Sequence, residues 1–309
     1  MKTLASNFFR VLLTAFLLFL MLIGVYDYLK NVDTNDCSMT YMKQSPGLIP
    51  IHLPSAIRKE FPSYKLFLYC EGYDCQDFES LNFRSPGFIP ALFIPGNADS
   101  HLQVRSIASV ALDKSLKKKY KQQNTKFLYF TISFNEELTA MHGPLLEMQT
   151  EFVKFAIEHI LTFFKNVRPE FKRPKSVVLI GNSMGGIITR GIFLPSEDNF
   201  YKKNLVHTII TQSTPHNQPV ISIDYQMASY YERVNKFWLN KSQHGLKNVV
   251  LASLYGGTRD FLVRSGLSNL NEWNKKTSAK FVSGYTLSIP FVWRAIDHVR
   301  GFIFYISSY

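Results

Sequence analysis

Gly181-Asn182-Ser183-Met184-Gly185-Gly186 is the stretch on which the reading of this chain turns. Before it runs Ser176-Val177-Val178-Leu179-Ile180, short, apolar and β-branched, as a strand buried on both faces should be. After it, Ile187 to Phe193 predicts a helix that stops at Leu194-Pro195. A serine between glycines at such a strand-to-helix junction sits on a tight bend, where a side chain at Gly181 or Gly185 would collide across the turn. The bend holds the Ser183 hydroxyl clear of the sheet, above the helix N-terminus that stabilises negative charge. A structural glycine turn is the plainer alternative. The strand before and the helix after favour a nucleophile.

Strand-like runs recur at Tyr64–Tyr69, Pro90–Ile94, Lys126–Ile132, Val177–Ile180, Leu205–Thr211, Asn248–Ser253 and Lys280–Tyr285. Between them, Ser100–Tyr120 and Leu145–Val167 carry apolar residues at helical spacing. The stripe Met148, Phe152, Phe155, Ala156, Ile160 and Phe163 reads as core rather than as a ligand surface. Strands alternating with helices predict an α/β fold, a mostly parallel sheet with helices on both faces. No glycine-rich phosphate loop is present, so a nucleotide site has no support.

The chain has 309 residues and a formal charge of +12, enough length for one large α/β domain. Part of the charge sits in Lys114, Lys117, Lys118, Lys119 and Lys121, a solvated helix end whose functional alternative is attraction to anionic lipid headgroups. The other basic residues are scattered and no nucleic-acid module is recognisable, which argues against DNA or RNA as a partner. Phe8 to Leu29 is strongly apolar, broken only by Arg10 and Asp27 near its ends, and can cross a bilayer of about 30 Å. Ile23-Gly24-Val25-Tyr26-Asp27 is a poor cleavage site, so residues 8–29 read as an uncleaved signal anchor. Lys2 and Arg10 precede it, which keeps residues 1–7 in the cytoplasm and puts the following domain in the lumen. A Pro-bearing linker is expected over 30–62 and the folded domain over 63–309.

The three cysteines are Cys37, Cys70 and Cys75. A lumenal compartment permits disulfides, and Cys70 with Cys75 could close a small loop, but spacing leaves the connectivity open. Metal binding by these cysteines is not expected, because no histidines stand at ligand spacing. Asn240-Lys241-Ser242 is a glycosylation tripeptide, usable only in the lumen.

A serine at a strand–turn–helix bend resembles the nucleophile elbow of the α/β-hydrolases, whose acid and histidine follow it in the chain. Such a serine needs a base to take its proton and a carboxylate to orient that base. Asp260 follows the Asn248–Ser253 strand in Gly256-Gly257-Thr258-Arg259-Asp260 and is the expected acid, with Asp224 the competitor at the start of a helical segment where it could instead cap. His298, beyond the last strand, is the expected base. His216 could line the site mouth, while His142, His159 and His207 have no special claim. For the oxyanion, one N–H is expected from Met184 and another from the loop Phe93-Ile94-Pro95-Gly96-Asn97-Ala98. Asn97 is the expected loop donor, Ala98 the next in line, and Gly96 lets the backbone approach the substrate. The scheme calls for no metal and no organic cofactor.

Several stretches then converge on one family. Cys37-Ser38-Met39-Thr40-Tyr41-Met42, Pro95-Gly96-Asn97-Ala98 with Gln103-Val104-Arg105-Ser106, and Phe134-Asn135-Glu136-Glu137 resemble the GPI inositol-deacylases. So do the elbow, Ser213-Thr214-Pro215-His216, Gly256-Gly257-Thr258-Arg259-Asp260, and Trp293 with Asp297-His298, in the family's order. The resemblance implies an endoplasmic-reticulum membrane hydrolase that removes the acyl chain from the inositol of GPI-anchored proteins and so aids their transport. Ser183, Asp260 and His298 match the positions of that family's catalytic residues. Asn182 stands where the family usually has histidine. Family members continue into a membrane-embedded region, and the apolar Gly301–Ile306 fits the beginning of a further helix. A general membrane-bound lipase or thioesterase is the rival of the same chemistry, and a silent lumenal GPI- or lipid-binding protein the rival of a different class.

Overall fold

The computed structural model describes residues 2–30, 42, 45–72, 75, 87–116, 125–164, 173–197, 199–240, 244–256 and 260–286. The chain divides into two compact units, Met1–Ser38 and Met39–Tyr309.

The first unit contains one helix, α1 (Lys2–Lys30). Its segment Ser6–Asp27 is long and apolar enough to cross a membrane by length and composition, with none of that segment buried in protein. At 1.5 Å per residue its 22 residues span about 33 Å, against a hydrocarbon core of about 30 Å.

In the second unit an eight-stranded sheet carries the order β1-β2-β4-β3-β5-β6-β7-β8. The strands are β1 (Pro46–Pro50), β2 (Lys65–Glu71), β3 (Gly87–Ile94), β4 (Thr125–Ser133), β5 (Val178–Asn182), β6 (Thr208–Gln212), β7 (Val250–Tyr255) and β8 (Lys280–Tyr285). Strand β2 runs against both its neighbours, and every pairing from β4 through β8 is parallel. The sheet therefore sends the loops after β3 to β7 to one edge, where open α/β sheets hold their ligands.

The expected linker over 30–62 is only partly linker. Residues 46–50 form edge strand β1 and Ser55–Glu60 form a short helix, α2. Prolines at both ends of β1 disguise it as loop, yet an edge strand tolerates proline where no ladder N–H is required. Gly47 of β1 packs against a disulfide between Cys70 and Cys75. That pairing resolves the connectivity left open by spacing; Cys37 lies outside the described residues.

Alternation along the strands explains the two-sided burial. Leu92 and Ile94 of β3 and Leu179 of β5 enter one core, shared with α4 (Gly143–Phe163) and α6 (Tyr225–Trp238). Ala91 and Phe93 of β3 and Ile180 of β5 point the other way, against Val104 and Ala108 of α3 (Val104–Leu116). Burying each such aliphatic or aromatic side chain contributes roughly 1.5–3 kcal/mol before conformational entropy is counted. Lys117, Lys118, Lys119 and Lys121 lie outside the described residues.

Candidate active site

Strand β5 ends at Asn182, and helix α5 (Met184–Gly191) starts two residues later, so Ser183 alone makes the turn. Its φ of 49° and ψ of −121° are a conformation that a non-glycine residue adopts at a cost of roughly 1–3 kcal/mol. The strain is held by packing. Ser183 N–H donates to Gln212 O at 2.8 Å, and every residue of α5 is buried. The helix is flanked by Tyr230 of α6, whose hydroxyl meets Thr150 of α4 at 2.6 Å.

The loop after β3 closes on this turn. A Cβ on Gly96 would stand 2.6 Å from Ser183 Cβ, and one on Gly185 would collide with Ile94 O. Both positions require the absence of a side chain, because the backbone of the loop and the first turn of α5 are in direct contact. The first N–H groups of a helix have no intrahelical partner, and the Met184 N–H is the first of α5.

Hydrogen bonds narrow the loop's own donors. Gly96 N–H donates to Asp99 Oδ2 at 3.1 Å, and Ala98 N–H donates to Glu137 O at 2.9 Å. Ala98, next in line as oxyanion donor, is therefore committed to the loop after β4. The Asn97 N–H takes part in neither bond, while its side-chain Oδ1 accepts from Ala140 N–H at 2.8 Å. Glu137 is itself anchored, accepting from Tyr64 Oη at 2.6 Å and from Gln149 Nε2 at 3.0 Å.

Asp260 stands just beyond β7, at the same edge of the sheet, and is buried with 2% exposure. Its Oδ1 accepts from Val263 N–H at 2.8 Å, and Gly256 packs against its Cβ. Asp224 behaves as a cap: Oδ1 accepts from Gln226 N–H at the start of α6, and Oδ2 from Gly143 N–H at the start of α4. The Gly143 bond first, and the Gln226 bond after it, hold its carboxyl below the usual range. His298, with Trp293 and Asp297, lies outside the described residues, as do Gly257, Thr258 and Arg259.

His216 does not line a site mouth. It is fully buried, with Nε2 within 2.8 Å of Thr211 Oγ1, and Nδ1 has no hydrogen-bond partner among the described residues. Burial first, and the nearby Arg190 charge second, hold its pKa well below the ordinary imidazole value. Arg190, on α5, donates to His216 O at 3.0 Å and to Asn235 Oδ1 at 2.8 Å, and faces the rings of Trp238 and Trp273. Desolvation draws the guanidinium down to about 9, so it stays charged at neutral pH. Residue order along the chain carries no signal for this cluster.

Around the edge, three neighbouring loops expose apolar side chains. Leu138 and Met141 follow β4; Ile221, Ile223 and Tyr225 follow β6; Phe261 and Leu262 follow β7. The loops are tied by Gly143 to Asp224 and by Asn217 Nδ2 to Gly266 O at 2.7 Å. Most of the large apolar side chains exposed outside α1, among the described residues, belong to this rim. Asn240 is exposed just after α6; Lys241 and Ser242 lie outside the described residues.

A reversed second strand in an otherwise parallel sheet, with a positive-φ serine between β5 and the next helix, defines the α/β-hydrolase fold. Esterase B from Lactobacillus rhamnosis shares that architecture, with a TM-score of 0.50 at 11% identity over 94% of this chain and 89% of that one. The chain belongs to the family of the PGAP1-like alpha/beta domain, whose model matches residues 86–304. It is 38% identical over 293 residues to the GPI inositol-deacylase of Rattus norvegicus, covering 95% of this chain and 30% of that protein. The GPI inositol-deacylase of Aspergillus fumigatus is 35% identical over 254 residues, covering 76% of this chain and 21% of that protein. The chain thus spans less than a third of the length of these curated relatives.

Proposed function

We propose that the chain is a membrane-anchored serine hydrolase of carboxylic esters, and that it removes the acyl chain from the inositol of GPI-anchored proteins. The observation that carries this reading is Ser183, held at φ 49° over the start of α5 with the Gly96 loop against its Cβ. Ser183 Oγ attacks the ester carbonyl while His298 accepts its proton and Asp260 orients the imidazole. The N–H groups of Met184 and Asn97 hold the oxyanion as the tetrahedral intermediate forms. Collapse breaks the ester C–O bond, and the inositol oxygen leaves with the proton from His298. Water, deprotonated by the same imidazole, then releases the fatty acid and regenerates Ser183. The substrate class is supported by the name that relatives at 35% and 38% identity carry, and by the apolar rim of the sheet edge, which suits an acyl chain.

Location follows from the anchor. Residues 8–29 would fix the chain in the endoplasmic-reticulum membrane, with residues 1–7 cytoplasmic and the hydrolase domain lumenal. Loss of a glycan-dependent mobility shift in Asn240→Gln tests that orientation.

Function is tested in cells that lack inositol deacylation, whose surface GPI proteins resist phosphatidylinositol-specific phospholipase C. Wild type is expected to restore release by the phospholipase and Ser183→Ala to leave it absent. If Ser183 reacts with a fluorophosphonate yet release is not restored, the GPI substrate is wrong and a more general esterase remains. If Ser183 is also inert in the folded protein, the hydrolase reading falls.

A further inference from the structure

The residue before the nucleophile has a role that the triad does not use. Asn182 ends β5 on the side of Ile180 and Val178, which face α3, and is almost fully buried. Its Nδ2 donates to Asp99 Oδ2 at 2.8 Å. The same carboxylate oxygen accepts from Gly96 N–H at 3.1 Å, and Oδ1 accepts from Gln103 Nε2 at 3.0 Å. Asp99 therefore joins three pieces: the strand that carries Ser183, the loop that carries Asn97, and the 3-10 turn that leads into α3. Bonds of Asn97 and Ala98 to Ala140 and Glu137 tie the same loop to the segment after β4. Among these side-chain contacts, Asp99 to Asn182 links the loop to the nucleophile's own strand.

We infer that Asp99, gripped by Asn182, is a positioning residue that sets the distance between the Asn97 N–H and Ser183 before substrate arrives. The inference rests on Ser183 being the nucleophile. Oxyanion donors act only when held close to the developing charge, and a displacement of about 1 Å costs on the order of a hundredfold in rate. Asp99 also occupies the Gly96 N–H, which leaves Asn97 to supply the loop donor. The carboxylate lies close to the reacting serine, since Gly96 separates them: its Cβ position is 2.6 Å from Ser183 Cβ and 2.8 Å from Asp99 Oδ2. Three donors engage that negative charge: Gly96 N–H, Gln103 Nε2 and Asn182 Nδ2.

A polarity swap tests the link in the full chain, with p-nitrophenyl butyrate hydrolysis and the rate of fluorophosphonate labelling of Ser183 as readouts. Asn182→Asp, which sets carboxylate against carboxylate, is expected to lower kcat about a hundredfold with little change in KM. Asp99→Asn is expected to lower it about tenfold, because an amide can satisfy fewer of the three donors. The double variant D99N/N182D regains a donor–acceptor pair and should exceed N182D alone by about tenfold, a non-additivity that independent structural damage does not produce. Asn182→Ala, which adds no charge, replaces N182D if that variant does not fold. Wild-type kcat and labelling in folded N182D or N182A, or a double variant as slow as the product of the singles, would overturn the inference. Inert Ser183 in folded wild type would instead overturn the nucleophile reading, and the positioning role with it.

Discussion

Ser183 and Ser213 stand at matching places on neighbouring strands, and the Gly96 loop lies against Ser183 where a helix begins at once. Both adopt left-handed φ, 49° and 45°, and both are buried. Each donates its N–H at 2.8 Å to a carbonyl near the end of the next strand, Gln212 O and Leu254 O respectively. The two serines differ in the residues that come after them. Ser183 leads at once into α5, whose first N–H groups lack intrahelical partners, and Gly185 admits the loop after β3. Ser213 leads into Thr214, whose side chain fills the space against Gly186, then Pro215 without an N–H, then His216, whose N–H bonds Thr214 O. Helix α6 does not begin until Tyr225. A strained serine does not make a nucleophile. It becomes a candidate when a helix begins at once after it and a loop closes against it.

Substitution of the two serines should separate them most sharply. Ser183→Ala should lower ester hydrolysis by at least about a thousandfold, whereas Ser213→Ala should stay within a few-fold of wild type. Steady-state assays with p-nitrophenyl butyrate decide it, and the reverse ranking would move the site to β6. The two aspartates extend the contrast. Asp260→Asn should cut kcat by about a hundredfold or more, since an amide cannot stabilise an imidazolium. Asp224→Asn should keep kcat and lower the melting temperature by a few degrees, because an amide keeps the acceptor for Gln226 N–H but loses the second one, which takes the Gly143 N–H. Melting curves read beside kcat separate the two roles.

Packing gives a smaller effect. Gly185→Ala places a methyl group against backbone and should cost about 1–3 kcal/mol in urea unfolding, with activity falling as the loop shifts. Gly266→Ala meets nothing within 4 Å and should be neutral to within about 0.5 kcal/mol.

The smallest effect is a pH dependence from His216. Its folded pKa lies well below 6.5, so as pH falls through that value the unfolded chain takes up a proton that the folded chain does not. The sign is therefore loss of stability on acidification, beginning near pH 6.5, by at most about 1.4 kcal/mol per pH unit. Above that pH both states are neutral and the contribution is constant. His216→Asn should flatten the difference in unfolding free energy between pH 7.5 and 5.5; an unchanged difference would mean that the imidazole protonates in place.

The elbow was legible in sequence because its determinants are local: an apolar β-branched run, three glycines and a helical continuation within a few residues. Parallel strands buried on both faces were legible for the same reason. β1 was not, since Pro46, Gly47 and Pro50 carry loop chemistry and only pairing with β2 makes them a strand. For His216, position after a strand fixes the edge of the sheet but not the depth, and the side chain is fully buried. Its depth comes from Arg190 on α5 and Thr211 on β6. The Asp99–Asn182 link joins residues 83 apart, a contact no local pattern encodes.

If Ser183 is the nucleophile, its setting between the start of α5 and the Gly96 loop, and not strain alone, makes it reactive. Treating the folded full chain with a fluorophosphonate and mapping the adduct by mass spectrometry tests it most directly. A phosphonyl adduct is expected on Ser183 and none on Ser213, with labelling abolished by Ser183→Ala. An adduct on Ser213, or a folded protein that carries none on Ser183, would contradict it.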